Sequence, residues 1–219
     1  MKPKLLLILI PFLLLLSCTK QTEKSAPDIK GEIVNMEGDV TLAGKSTKIG
    51  DPVSDESVIQ TGADGYCEIQ FLDSNIIRVF EDSIIRISFS NSTVSLDRGA
   101  AAAVLRNLSS LIQTMDDVFT IKSGTVVAGI RGTSFYVKRE DADTSYFCLC
   151  NGKIHLSDGN DQFSKDLEST HHLAVRISEK NRQLEVSNAP MLYHSDKDME
   201  DLAGVIGQKM DWNAVESYH

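Results

Sequence analysis

Metal-binding side chains are concentrated in the second half of the chain. Six residues share this chemistry: Cys148, Cys150, His155, His171, His172 and His194. Thiolates and imidazoles are the ligands that zinc prefers, and iron accepts both as well. The six residues therefore predict a site for zinc or iron, haem iron included. Cys-x-Cys is a looser signal than a paired Cys-x-x-Cys set, so ordinary unpaired cysteines remain an open alternative.

A hairpin over residues 144–156 is the element expected to position these side chains. Asn151-Gly152 is a two-residue turn signal between two runs of alternating apolar residues. Such a turn would place Cys148 opposite His155, and directly opposed residues lie on the same face. Cys148, Cys150 and His155 would then gather on one face. The opposite, core-facing side would hold Phe147, Leu149, Ile154 and Leu156.

A disulfide is the main rival to the metal site. An exported protein can form one, and Cys67 could pair with Cys148 or Cys150. Cys148 and Cys150 themselves would have Cα atoms about 6.5–7 Å apart along one strand, at the strained limit for a bridge. Cys67 also lies on the apolar face of an alternating run, which fits a buried small hydrophobic residue. Both interpretations stay open.

The N-terminus predicts export. Lys2 and Lys4 precede twelve apolar residues at positions 5–16. That run is too short for a membrane-spanning helix, which needs about 20 residues, and is typical of a signal peptide. No second hydrophobic span follows, so we do not expect a membrane-crossing regulator.

The end of the apolar run indicates lipid attachment. Its last residues, LLSC, resemble the lipobox of bacterial lipoproteins, in which the cysteine becomes the acylated first residue. We therefore expect residues 1–17 to be a signal peptide and residues 18–30 to be the lipidated Cys18 with a flexible, polar tether. The expected location is the cell envelope, on a membrane and facing the periplasm or the cell surface. A plain secretory signal is the alternative.

The charge of the chain bears on its partners. The formal net charge is −9, and removal of the signal peptide would take away two lysines as well. An acidic surface without a Lys/Arg cluster repels phosphate backbones, so nucleic acid is not an expected partner. The sequence also lacks a nucleophile elbow, an HExxH motif and a phosphate-binding loop, so no enzymatic activity is expected.

Short alternating segments predict a mostly β fold. Residues 66–71 and 84–89 alternate apolar and polar side chains, and turn signals such as Gly38-Asp39 separate the segments at roughly ten-residue spacing. This pattern favours an antiparallel β-sandwich or a stacked-hairpin, solenoid-like fold over a parallel α/β sheet.

One or two short helices are expected beside the strands. Within residues 100–115, apolar side chains recur at helical spacing, although a strand near residues 100–104 is the alternative. A C-terminal helix is predicted with Ser195 as its cap and Asp198 in its first turn. Its apolar face would consist of Met199, Leu202, Ala203 and Ile206.

A glycine-bounded arginine lies between two apolar segments. An isolated buried charge is very costly, so Arg131 is predicted to be paired and structural, with contact to a ligand as the alternative. Gly132 would let the backbone bend, and Thr133 completes the tripeptide.

The chain resembles the FecR domain over residues 31–156. The resemblance is carried, in the family's order, by GEIVNMEGDV at 31–40, Gly-Asp at 50–51, IQTGADGYCEIQF at 59–71, DSN at 73–75, DRG at 97–99 and AGIRGTSFYV at 128–137. It implies a non-enzymatic, mostly β domain outside the cytoplasm.

With this resemblance, the expected organisation places a FecR-like β domain at residues 31–190 and a helical appendage at 191–219. The expected function is a lipid-anchored binding or sensory module that engages an envelope protein. The alternative is an envelope lipoprotein that binds metal or haem iron through its cysteines and histidines.

Overall fold

The computed structural model describes residues 30–109, 111, 118–124, 126–158, 162–181 and 183–215, apart from the side chain of Arg131. The predicted signal peptide, Cys18 and all but the last residue of the tether lie outside these residues. No helix in the described ranges is long and apolar enough to cross a membrane.

Strands dominate the described residues. They are β1 (Gly31–Glu37), β2 (Val40–Leu42), β3 (Lys45–Ser46), β4 (Pro52–Val53), β5 (Ser57–Thr61), β6 (Tyr66–Phe71), β7 (Asn75–Val79), β8 (Ile84–Ser88), β9 (Thr93–Leu105), β10 (Phe119–Ser123), β11 (Val126–Arg139), β12 (Thr144–Ser157), β13 (Ser164–Ser169), β14 (Leu173–Lys180) and β15 (Gln183–Asn188). One helix, α1 (Asp196–Val205), follows them. The mostly β prediction is confirmed.

All of these strands join one sheet, and three long strands organise it. The first half of β9 pairs with β8 and β10, and its second half pairs with β7 and β11. β12 pairs with β11 along most of its length. Every pairing is antiparallel except that of β9 with β10.

The central strands are buried on both faces. In β9, Ala101, Ala103 and Leu105 belong to the main apolar core, while the alternate residues belong to a second cluster on the other face. That second cluster also contains three residues of α1: Met199, Leu202 and Ala203. The helix therefore covers the outer face of the sheet.

The predicted helix at residues 100–115 is wrong over its described part. Residues 100–105 form the second half of β9, and no helix begins at residues 106–109. The remaining residues, except Leu111, lie outside the description. Alanine favours a helix in isolation, but here the strand lies between β7 and β11 with small side chains on both faces. The close approach of α1 over these alanines is a tertiary effect.

The predicted hairpin at Asn151-Gly152 is also wrong. β12 runs without a turn through both residues, and the turn that joins β11 to β12 lies at residues 140–143. Gly152 has φ +112, and a Cβ there would come within 2.6 Å of Thr133 Cγ2. The Asn-Gly pair therefore marks a close approach beside a register shift between β11 and β12, rather than a chain reversal.

The predicted C-terminal helix is confirmed. Ser195 is its N-cap, and the Ser195 and Asp198 side chains form a capping box. Gly207 follows the helix with φ +67, a conformation that favours glycine.

Candidate functional site

Four of the six predicted metal ligands lie together. Cys148, Cys150, His172 and His194 each direct one ligand atom into a group in which all the atoms lie within 4.8 Å of one another. Both thiols are fully buried, and the His172 side chain is only 7% exposed. This cluster is called the Cys/His cluster below.

Strand β12 directs both thiols to the outer face of the sheet. Residues two apart on a strand share a face, and Cys148 and Cys150 belong to the second apolar cluster while Leu149 belongs to the main core. Cys148 lies opposite Tyr136 of β11. Cys150 has no partner in that register, because β12 carries one extra residue there.

The two histidines come from irregular backbone. His172 lies directly before β14 with φ +49, and its N–H donates to the Cys150 carbonyl at 3.1 Å. His194 lies directly before the N-cap of α1 and follows Tyr193, which has φ +69. Left-handed backbone at residues other than glycine is strained and tends to occur at functional sites.

Each imidazole faces one thiol. Cys148 Sγ lies 3.5 Å from His172 Nδ1, and Cys150 Sγ lies 3.4 Å from His194 Nε2. The other nitrogen of each ring is bound from outside the cluster. His172 Nε2 lies 2.8 Å from Asp196 Oδ1, and His194 Nδ1 lies 2.9 Å from the carbonyl oxygen of Leu192.

These outer bonds determine the tautomer of each ring. A carbonyl oxygen and an ionised carboxylate only accept hydrogen bonds, so His194 Nδ1 and His172 Nε2 must carry the protons. In the neutral rings, the nitrogens that face Cys150 and Cys148 then present lone pairs. Both histidines are therefore held in the form that can bind a metal.

The two thiols titrate as a pair. Interaction with the Cys150 thiol, acting against burial, lowers the pKa of Cys148 to about 4, and protonation of His172 or His194 would place an N–H toward the thiols and act in the same direction. Burial raises the pKa of Cys150. The pair therefore gives up one proton readily and retains the other. Burial raises the pKa of the remote Cys67 to about 12, so that thiol is inert by contrast.

Aromatic rings close the outer side of the cluster. The ring of His194 stacks on Tyr136 with centroids 4.8 Å apart and planes 5° apart. The Trp212 ring lies 5.1 Å from His172 and 4.8 Å from His171. The segment that carries Trp212 is fixed by Asn151, whose Nδ2 donates to the carbonyl oxygens of Asp211 and Ala214.

The other two predicted ligands are not part of the Cys/His cluster. His155 is seven residues beyond Cys148 on the continuous strand, which corresponds to roughly 20 Å, and it pairs with Asp166 at 2.6 Å. The expectation that His155 shares a site with the cysteines is wrong, because it depended on the hairpin. His171 lies next to the cluster, where its Nε2 is 3.0 Å from Asp196 Oδ2.

The three cysteines that the structure describes are not bridged to one another. Cys67, Cys148 and Cys150 are all free. Cys67 lies in the main core, while the other two lie in the second cluster on the opposite face of the sheet.

The Arg131-Gly132-Thr133 tripeptide lies where β11 shifts its register against β12. Gly132 has φ +75, in agreement with its predicted role as a bend. The side chain of Arg131 lies outside the description, so its pairing stays a prediction. Thr133 is fully buried and packs against Gly152.

Sequence reasoning missed the residues that support the cluster. Asp196 was not singled out, although its carboxylate lies within hydrogen-bond distance of both His171 and His172. Tyr136 and Asn151 lie on strands and gave no functional signal. No local pattern announces this contact, because Asp196 lies 24 residues after His172 in the sequence.

Comparison with known proteins gives one family. Residues 57–163 match the FecR protein family. This range contains Cys148 and Cys150, while His172 and His194 follow it. The Cys/His cluster therefore joins the family-matched segment to the C-terminal segment.

Two crystal structures of a protein provisionally assigned as an anti-sigma factor, from Parabacteroides distasonis, are also similar. Each has 16% sequence identity and a TM-score of 0.46, and each alignment covers 60% of this chain. The chain spans 59% of the length of those structures. No curated protein matches the chain.

Proposed function

Residues 57–163 match the FecR protein family, and from this premise we propose that the chain is a lipid-anchored, non-enzymatic module that binds a protein partner and conveys a signal at the cell envelope. The observation that carries the proposal is the family match over residues 57–163, because FecR proteins are regulatory rather than catalytic. The match supports a signalling or sensory module, and the lipid anchor and the protein partner are part of the proposal.

The N-terminal sequence supports the anchor. A basic start and a short apolar run lead to Cys18, and β1 begins at Gly31. A fully extended chain spans about 3.5 Å per residue, so the residues between them could reach at most about 45 Å. The lipid would therefore hold the domain close to the membrane while leaving it free to reorient.

The edge of the sheet at β15 supports binding of a protein partner. β15 ends the strand order and pairs only with β14 among the described strands. Its other side presents main-chain donors and acceptors, and its outward side chain Glu185 is exposed. An extended peptide can add to such an edge through main-chain hydrogen bonds.

Membrane fractionation of the Cys18→Ala variant tests the anchor. We expect the variant either to leave the membrane fraction or to accumulate as a precursor of higher mass, because the acylated side chain is absent. The neighbouring Thr19→Ala variant, which keeps the cysteine, should fractionate like wild type. Normal processing and membrane retention of Cys18→Ala would refute the lipid anchor.

Site-specific photo-crosslinking in cells tests the edge. A photoreactive residue at Glu185 should give one discrete cross-linked band that contains the chain and a second protein. The same residue at Glu32, exposed but in β1 between β4 and β6, is the control. Equal patterns at both positions, or no band at position 185, would remove β15 as the binding edge.

A further inference from the structure

We propose that Cys148, Cys150, His172 and His194 bind one Zn²⁺ ion, which fastens the C-terminal segment to the outer face of the β-sheet. This goes beyond the envelope-signalling proposal and does not depend on it, since the ligand set stands or falls without a lipid anchor or a partner.

The distances fit a single tetrahedral ion. With Zn–S bonds of about 2.3 Å and Zn–N bonds of about 2.0–2.1 Å, a tetrahedral site places sulfur and nitrogen about 3.5 Å apart. The two measured sulfur–nitrogen distances are 3.5 Å for Cys148–His172 and 3.4 Å for Cys150–His194. The same bond lengths place the two sulfurs about 3.8 Å apart, within the 4.8 Å that encloses all four donor atoms.

The outer contacts match those of metal-bound histidines. Ligating histidines generally donate their second ring N–H to a carboxylate or a backbone carbonyl, which fixes the tautomer and the ring orientation. His172 has the carboxylate of Asp196, and His194 has the carbonyl of Leu192. Two independent partners thus direct both lone pairs into the same small volume.

The donor set selects zinc over other ions. Two sulfurs and two imidazoles in a tetrahedral arrangement suit Zn²⁺, whereas calcium and magnesium require oxygen ligands. All four positions are filled by protein atoms, as in structural zinc sites, while catalytic sites keep one position open. Donor atoms confined within 4.8 Å leave room for one ion and not for a haem.

The bound ion would join three distant parts of the chain. Two ligands belong to β12, one directly precedes β14, and His194 directly precedes the N-cap of α1. The ion would therefore hold the start of α1 against the sheet. The residues that α1 helps to cover include Ala100, Ala102 and Val104 of β9.

Metal analysis of the full-length protein tests the site. The protein is purified in detergent without a histidine tag, under reducing conditions, and dialysed. We expect about one equivalent of zinc in wild type and a loss of at least tenfold in Cys148→Ser and His194→Gln. His155→Gln is the matched control, because His155 also contacts a carboxylate but lies outside the cluster, and it should retain the metal.

A second readout uses unsubstituted protein, in case a variant fails to fold. Trp212 is the only tryptophan of the chain, and its ring lies 5.1 Å from His172. Stripping with a chelator should shift its fluorescence, Zn²⁺ should restore it, and Mg²⁺ should not. Replacement by Co²⁺ should produce thiolate-to-metal absorption in wild type and His155→Gln alone.

Either of two results would overturn the proposal. One is wild-type protein with its thiols reduced that retains no zinc after dialysis and shows no Co²⁺ absorption. The other is zinc that persists in folded Cys148→Ser and His194→Gln, since that metal would be bound elsewhere.

Discussion

Replacing Asp196 by asparagine separates the contact that orients the cluster from the ligands themselves. The Asp196 carboxylate accepts hydrogen bonds from His171 Nε2 at 3.0 Å and from His172 Nε2 at 2.8 Å. Asparagine keeps the shape and one acceptor oxygen but removes the negative charge. The change should therefore weaken the hold on the His172 tautomer without removing any metal ligand.

The expected magnitude follows from the exposure of Asp196. Loss of an outer partner of a ligating histidine typically lowers metal affinity by about 10–100-fold, or about 1.4–2.7 kcal/mol. The Asp196 side chain is 44% exposed, so water screens its charge and the lower end of that range applies. We expect Asp196→Asn to bind zinc about tenfold more weakly than wild type.

Competition with a chromogenic chelator measures this affinity. Asp166→Asn is a matched control, because Asp166 makes the same kind of contact with His155, which lies outside the cluster. That variant should bind zinc like wild type. Unchanged affinity in Asp196→Asn, or an equal loss in Asp166→Asn, would refute the role assigned to the Asp196–His172 contact.

Two further predictions concern ion pairs. Arg78→Ala should lower the free energy of unfolding by about 3–5 kcal/mol in urea, because it leaves the fully buried Glu68 carboxylate without its guanidinium partner. Substitution of the exposed Arg86 is the control and should change stability little. Equal effects of the two substitutions would contradict this account. The hydrogen bonds from Arg176 lower the pKa of Glu140 in the folded state. They therefore stabilise the folded protein fully above the ordinary pKa of glutamate, and this contribution is lost as the pH falls through the pKa of Glu140 in the folded state. Glu140→Gln should therefore cost about 1 kcal/mol at pH 7, and this cost should shrink as the pH falls through the lowered pKa of Glu140. A penalty that does not depend on pH would count against the pair.

Local patterns were enough to predict most of the strands and the C-terminal helix. Residues 66–71 alternate because a strand directs successive side chains to opposite faces, and this period is visible in one segment alone. The capping box of Ser195 and Asp198 involves residues three apart, so it too can be recognised without the fold. The shared face of Cys148 and Cys150 follows from the same two-residue period.

The tertiary structure decided everything that depends on distant neighbours. The alanines of β9 form a strand because β7 and β11 pair with them, which their own helix preference does not reveal. Asn151-Gly152 reads locally as a turn, but Thr133 of the adjacent strand requires a glycine there.

The candidate site shows the same division. Its residue types were visible in the sequence, whereas the choice of partners was not. His155 is close to the cysteines in sequence and remote in space, because β12 continues without a turn. His172 and His194 reach the thiols because the backbone is left-handed at His172 and at the residue before His194, and because α1 docks over the sheet. These conformations are held by long-range packing, so the sequence supplied the ligands and only the fold selected which four of them meet.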